Sequence, residues 1–453
     1  MRQMGFINRL RSSKPARQLW LPFQVKGELF ASKAESGFPA MNMQLMEAVV
    51  ERGNLHAALK QVVRNGGGPG MDGMTVKELP DYLKKEWPKI RRQLLDGEYT
   101  PKPVKRVEIP KPGGGIRQLG IPTVVDRFIQ QAIMQELQRD WDRNFSEASF
   151  GFRPRRSAHQ AVLQSQKYLK QGCRWIVDID LEKFFDRVNH DKLMSKVRER
   201  VADDRVIRLI LGFLKSGIKD HDRIVETIEG TPQGGPLSPL LANLMLDQLD
   251  KELESRGHRF VRYADDLNIY VKSRRAGKRV LKSVGNYLIS RMKLKVNESK
   301  SGVNLPWKSI FLGFSFTAKL KRKISEKAIK RLKIKVREIT FRTRGVHIGK
   351  IVEGLRQYLL GWQAYYNFAE AKSILKEIDS WIRRRLRCYL WKQWGRSGYR
   401  ELVKRGVSRD LAWNTAKSAH GPWRLSRSPG LAFALPVRYF TGLGLPGLYE
   451  KQA

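Results

Sequence analysis

Two short β-prone runs, "CRWIVDID" (173–180) and "FVRYADDLNIYV" (260–271), each set carboxylates among apolar residues. In a strand from Trp175 to Asp180, alternation places Asp178 and Asp180 on the same face. In the second run Asp265 and Asp266 fall between the strand-like "FVRY" and "LNIYV", at the tip of a strand–turn–strand. Carboxylates held that close repel unless a cation neutralises them, and a divalent metal is the usual solution where they cluster with open positions. Each acid alone reads equally well as an edge-strand charge, and spacing does not say which of Asp178 and Asp180 would bind metal. Together, two strands that bring carboxylates to one point fit two-metal phosphoryl or nucleotidyl transfer. The chain holds its own control: Asp203–Asp204, in "VADDRV", sits in a helix-like, charged stretch and reads as a solvated face or a cap.

The acids are conspicuous because the chain is so basic. Its 453 residues hold 87 Lys and Arg against 44 Asp and Glu, a net charge of +43, with 41% hydrophobic residues. Such a chain has room for two to four domains and a sizeable core, and its field points to a polyanionic partner. No apolar run approaches the roughly 20 residues of a spanning helix, so nucleic acid is favoured over a membrane. Cys173 and Cys388 are the only cysteines, which excludes a disulfide framework and a cysteine zinc module. The basic N-terminus lacks the apolar stretch of a secretory signal; a soluble, cytosolic protein is expected.

Residues 1–40 read as a basic arm. From Met41 to about Tyr99 the pattern is helical, broken by the glycine-rich "VVRNGGGPGMDGMTV". "VKRVEIPKPGGGIRQLGIP" (104–122) predicts a β-hairpin with Lys111 and Arg117 across its turn, where cations could clamp a triphosphate. A helix is predicted over 123–142, and strands alternate with helices from 175 to about 316, an α+β pattern. "GTPQGGPLSPLLANLMLDQLD" (230–250) is a Gly/Pro loop feeding a helix, and it lets backbone and the Gln233 amide approach a nucleotide closely. Three amphipathic helices follow. Ser325 is the expected N-cap of the first, with Ile329, Leu332, Val336 and Ile339 on one face. Residues 319–453 carry 31 Lys and Arg against 9 Asp and Glu. The apolar stripes read as helix core, and Arg383, Arg384, Arg385 and Arg387 as part of a stripe for a nucleic-acid backbone.

Taken in order, "IPKPGGGIRQLG", "SFGFRPRRSAHQA", "VDIDLEKFFDRVNH", "TPQGGPLSPLLANLMLDQLD", "FVRYADDLNIYV", "MKLKVNESKS" and "SIFLGFSF" resemble the successive blocks of a reverse transcriptase. The likeness is greatest to the group II intron reverse transcriptase/maturase family and runs from about residue 45 to 395. The tail, with "SAHGPWRLSRSPGLAFALPVRYF", is similar to class C members. The resemblance implies a right-hand polymerase: N-terminal extension of the fingers (41–100), fingers (101–172), ferredoxin-like palm (173–318), α-helical thumb or maturase domain X (319–400) and basic tail (401–453).

It also implies roles. Asp180, Asp265 and Asp266, with the Leu181 backbone carbonyl, would hold two Mg²⁺ ions, with Mn²⁺ as a substitute; Asp178 falls to a supporting role. Lys111 and Arg117 would hold the incoming dNTP triphosphate, and Gln233 and Gly234 would line the template–dNTP loop. Phe185 resembles the steric gate that crowds a ribose 2′-OH and favours DNA synthesis. Lys300 would protonate the leaving pyrophosphate, with Lys295 as the alternative. Phe311, Leu312 and Gly313 resemble the primer grip. The implied partners are group II intron RNA, an RNA template with a DNA primer, dNTPs and target DNA, in a bacterial cytosol and near the nucleoid during mobility. No endonuclease domain is expected, because the Cys pairs of that domain are missing. Two rivals stand beside this reading: an RNA-binding splicing cofactor with a dead polymerase, and a domesticated, retron-type defence enzyme.

Overall fold

The computed structural model describes residues 43–110, 115–220, 223–225, 229–232 and 234–449. The expected basic arm (1–40), Lys111, Gln233 and the Arg117 side chain lie outside the described residues. The chain divides into two compact units at Val303–Asn304, with residues 169–172 grouped with the second. Residues 304–318, read from sequence as the end of the palm, fall in the second unit.

In the first unit, helices Leu45–Val49, Arg52–Asn65 and Leu79–Asp96 precede a hairpin of β1 (Val104–Pro110) and β2 (Ile116–Ile121), paired antiparallel from Lys105–Ile121 to Pro110–Ile116. Two short strands, β4 (Ile218–Asp220) and β5 (Arg223–Val225), extend this sheet, β4 running parallel to β1. Helix Val124–Asn144 is buried on every side through its first ten residues, as a helix at the centre of a domain must be. Its Thr123 cap accepts from Asp126 N at 3.1 Å, and the buried Asp126 carboxylate accepts from Thr123 Oγ1 and Tyr99 OH at 2.6 and 2.9 Å. A buried carboxylate is tolerated there because its oxygens are hydrogen-bonded.

The second sheet has the order β6–β7–β3–β8: Arg259–Tyr263, Asp266–Val271, Trp175–Ile179 and Gly302–Asn304. Strand β3 pairs antiparallel with β7, and β7 with β6. From Leu267 to Val271 every residue of β7 is buried, so both faces of the sheet are covered; that explains a run with no polar alternation. Helix Ser238–Ser255 and helix Arg274–Met292 supply much of the cover.

The second unit carries a two-stranded ladder, β9 (Phe314–Phe316) with β10 (Arg322–Ile324), and the helices Glu326–Ile339, Ile348–Tyr366 and Ser373–Trp394. Ser325 caps the first, accepting from Ala328 N at 3.3 Å. The stripes Ile329–Leu332–Val336, Leu355–Leu359–Trp362 and Ile378–Ile382–Leu386–Tyr389 are buried, so these residues are helix core. Among the described residues no helix is long and apolar enough to cross a membrane.

Candidate active site

Register brings the acids together. Ile179 pairs with Leu267 and Tyr263 with Asp266, so Asp180, one step past β3, lies opposite Asp266, with Asp265 in the two-residue turn beside it. The turn is an unusual one, because Ala264 takes φ +57° where a hairpin of this length ordinarily uses glycine or asparagine.

What holds it there is a buried network. Arg262, 1% exposed, donates from Nε and Nη2 to Asp250 at 2.8 and 2.5 Å, and from Nη1 to Asn243 Oδ1 and to the Ala264 carbonyl, both at 3.0 Å. Asn243 Nδ2 in turn donates to Gly151 O at 2.8 Å. A Cβ on Gly151 would stand 2.3 Å from Ala264 N, so only glycine lets the "SFGF" loop lie against the Ala264–Asp265 turn. Sequence reasoning passed over this network. The signals were an arginine inside the apolar "FVRY" and aspartates inside the apolar helix "LLANLMLDQLD".

Asp180 is fixed by the segment after helix Arg274–Met292. Its N–H donates to Ser301 Oγ at 3.0 Å, its carbonyl accepts from Asn297 N at 2.8 Å, and Lys300 Nζ lies 3.2 Å from its Oδ2. Lys295 pairs instead with Glu182 at 3.2 Å. Across the Leu181–Val296 bridge the ladder bonds run from Asn297 N to Asp180 O and from Glu182 N to Lys295 O. Neither consumes the Leu181 carbonyl. Asp178 faces Asn268 across the ladder, and with its amide turned to donate, Asn268 comes to 3.0 Å from Asp178 Oδ1.

Protein packed around Asp266, together with the charges of Asp265, Asp180 and Asp178, pushes its carboxyl up to about 7, and Lys300 pulls the other way. The residue still has an open face, where water screens part of that repulsion. Among the described residues no group of three or more His, Cys, Asp or Glu side chains is already gathered to hold a metal ion; Asp180 turns to Lys300 instead. The donor set nevertheless fits a hard divalent cation: carboxylate oxygens plus a carbonyl, where the carboxylates of Asp178, Asp180, Asp265 and Asp266 outnumber the Lys300 ammonium.

Phe185 sits in the turn Phe184–Asp186, half-buried, its ring edge-on to Phe184 at 5.2 Å. The glycine-rich loop is laced to this turn: Thr231 N donates to Phe185 O at 2.6 Å, Gly230 N to Val188 O at 2.8 Å, and His190 Nε2 meets Gly230 O at 2.6 Å. Gly234 comes so close to β2 that a Cβ would lie 2.5 Å from Gly120 O. The loop expected to face the nucleotide is thus anchored to both the Phe184–Asp186 turn and the hairpin.

In the second unit, Phe311 and Phe314 bracket a tight turn with Leu312 at φ +50° and Gly313 at +82°; Tyr365 OH donates to Leu312 O at 2.8 Å. The arginine cluster is less free than its sequence implied. Arg384 donates to Ser426 Oγ and Trp423 O, Arg385 to Thr340 Oγ1 and O, and Arg387 to Leu435 O, at 3.0 to 3.2 Å. These donors are taken up by carbonyls and hydroxyls of neighbouring segments.

A four-stranded sheet with aspartates at adjoining strand ends, beside a glycine-clamped loop and the Phe185 ring, is an arrangement suited to nucleotidyl transfer. Residues 109–316 match the family "Reverse transcriptase (RNA-dependent DNA polymerase)" and residues 329–407 the family "Group II intron, maturase-specific domain". In these two segments the chain is similar to group II intron reverse transcriptases/maturases. It is 36% identical to protein YkfC of Escherichia coli over 48% of this chain and 59% of that one. It is also 36% identical to the group II intron-encoded protein LtrA of Lactococcus lactis, over 44% of this chain and 33% of that one. The matches thus span between a third and three-fifths of those relatives' lengths. A chain of the "Partial Cas6-RT-Cas1--Cas2 complex" overlays 54% of this chain and 42% of its own at 26% identity, but with a TM-score of 0.36 it carries no weight.

Proposed function

We propose that this protein is an RNA-directed DNA polymerase that extends a DNA primer on an RNA template and, as a maturase, binds group II intron RNA to promote splicing and mobility at target DNA. The observation that carries the reading is the meeting of Asp180 with Asp265–Asp266 at adjoining ends of β3 and β7, inside the segment that matches a reverse transcriptase. Asp180, Asp265, Asp266 and the Leu181 carbonyl would hold divalent ions, Mg²⁺ in the first instance, which when bound stabilise charge on attacking and leaving oxygens.

The chain's own groups do the rest. The primer 3′-oxygen bonds to the dNTP α-phosphorus as the bond to the β-phosphate bridging oxygen breaks, and pyrophosphate leaves. Lys300, 3.2 Å from Asp180, is the nearer of the two lysines to that centre and would give the leaving group its proton. Phe185 would crowd a 2′-OH, Lys111 and Arg117 would hold the triphosphate, and the loop with Gln233 and Gly234 would meet the nascent base pair. Phe311, Leu312 and Gly313 would seat the primer end. Splicing help requires only binding energy for folded RNA, which the basic second unit can supply.

The test is dNTP incorporation on a primed RNA template with Mg²⁺, comparing wild type with Asp265→Ala. Extension that vanishes in the variant while RNA binding persists supports the reading. Tight intron-RNA binding without any extension by wild type would hand it to the splicing-cofactor alternative.

A further inference from the structure

The second unit encloses a cavity of about 460 Å³ lined by helices Glu326–Ile339 and Ser373–Trp394 and the short helix Pro422–Leu425. Its wall presents two indoles, Trp381 and Trp423, and three guanidiniums, Arg337, Arg342 and Arg385, with the buried Cys388 thiol also lining it. No carboxylate is among the described lining residues. The rings are held in place by cations on their faces: Arg337 lies 5.6 Å from the Trp381 centroid and Arg384 3.7 Å from that of Trp423. Arg385 is fixed by Thr340, whose Oγ1 accepts from its Nε at 3.0 Å. Arg342 is exposed, and Lys333 stands 5.9 Å from Trp381.

A concave site with planar aromatic walls and unopposed positive charge selects a ligand that is both flat and anionic. An acidic peptide would satisfy the guanidiniums and leave the indoles unmatched. A duplex keeps its bases stacked and offers only phosphates. A nucleotide whose base is out of the stack offers both, and the volume lies within the roughly 300–1,000 Å³ of small-ligand sites. Stacking on an indole tolerates any base, and a phosphate suits the forked donors of arginine.

We propose that this cavity takes one unpaired nucleotide of an RNA strand, its base against an indole and its phosphate on Arg337 and Arg342. The inference rests on the RNA-binding part of the reading above and adds the form of RNA recognised there: an extruded nucleotide, not a helical groove. RNA contact by this unit would then depend less on Arg384 and Arg387, whose donors are spent on neighbouring segments, than on the cavity.

The full chain is titrated with a single-stranded hexaribonucleotide containing 2-aminopurine, with the matched duplex, and with AMP. Wild type should quench the single strand. Trp381→Leu should abolish the quench and weaken binding by at least about fivefold, and Arg342→Gln should weaken it and lower the salt slope by about one. Duplex binding should be unchanged in both variants. Arg342 is exposed, so its variant decides the matter should Trp381→Leu fold poorly. Unchanged single-strand affinity and salt slope in Arg342→Gln would overturn the proposal. So would AMP binding as tightly as the hexamer with the same sensitivity to Arg342→Gln, which marks a free-nucleotide site, or displacement of the hexamer by an acidic peptide. Failure of wild type to bind any RNA strikes the parent reading instead, and is seen before any substitution is made.

Discussion

Replacing Arg262 with leucine would leave Asp250, which is 0% exposed, as a buried carboxylate with no partner. Removing one member of a buried ion pair costs about 3–5 kcal/mol, against a total of about 5–15 kcal/mol for a typical domain. Arg262→Leu should therefore lower the urea midpoint of the first unit sharply. Removing both charges is different, because well-packed apolar side chains in place of a buried pair are often neutral or stabilising. Arg262→Leu/Asp250→Leu should regain most of the lost stability. It does not regain the hydrogen bond from the guanidinium to the Ala264 carbonyl, worth about 1.5–3 kcal/mol as a charge-assisted bond. Ala264 is then free to leave its left-handed conformation, and a shift of about 1 Å in a reacting group costs on the order of 10²-fold in rate. The assay pairs urea unfolding with single-turnover primer extension. The double variant should be folded, bind primer–template normally, and extend slowly. If it extends at the wild-type rate, the guanidinium does not position the turn; if Arg262→Leu alone unfolds within about 1 kcal/mol of wild type, the pair does not carry the stability assigned to it.

Three further outcomes follow from the site. Lys300→Ala should slow extension by about 10²–10⁴-fold and remove the alkaline limb of its pH profile, whereas Lys295→Ala should change the rate by only a few fold. Phe185→Val should raise ribonucleotide incorporation relative to deoxyribonucleotide by about 10- to 200-fold, measured by competing rNTP and dNTP on one template, with the dNTP rate little altered. In EDTA, wild-type stability should fall as pH rises from about 4 to about 7. The raised Asp266 carboxyl binds a proton in the folded state that the unfolded chain has released, so folding is favoured below that window and penalised above it. Asp266→Asn should therefore melt higher than wild type at pH 8 without metal, by about 1 kcal/mol once screening by solvent on its open face is allowed for; equal melting there would remove the repulsion from the account.

The elements were legible in sequence where period and punctuation agreed. The hairpin over 104–122 appears as β1 and β2, the helix expected over 123–142 as Val124–Asn144, and the cap at Ser325 as written. The acidic runs were legible because aspartates inside β-prone apolar segments conflict with burial unless something justifies them. Polar groups that find partners far away in sequence were not legible. Asp203 is a cap, accepting from Arg205 N at 3.0 Å, but it is 3% exposed and also accepts from Met46 N, so the solvated half of that reading fails. Arg262 and Asp250 meet across a strand and a helix, and Arg384 finds Trp423 39 positions on. Such pairs depend on tertiary placement, which local pattern does not encode.

The burial of Arg262 and Asp250 has a consequence for ionic strength. Mobile ions screen charges that water reaches, and added salt competes for the phosphates of a polyanion at the basic surface. They do not enter a pocket whose members are 1% and 0% exposed. On the proposed function, grip on nucleic acid and alignment of the Asp265–Asp266 turn would rest on two electrostatic systems, one sensitive to salt and one not. Raising salt should loosen the protein's hold on its template while each bound primer is extended at an undiminished rate.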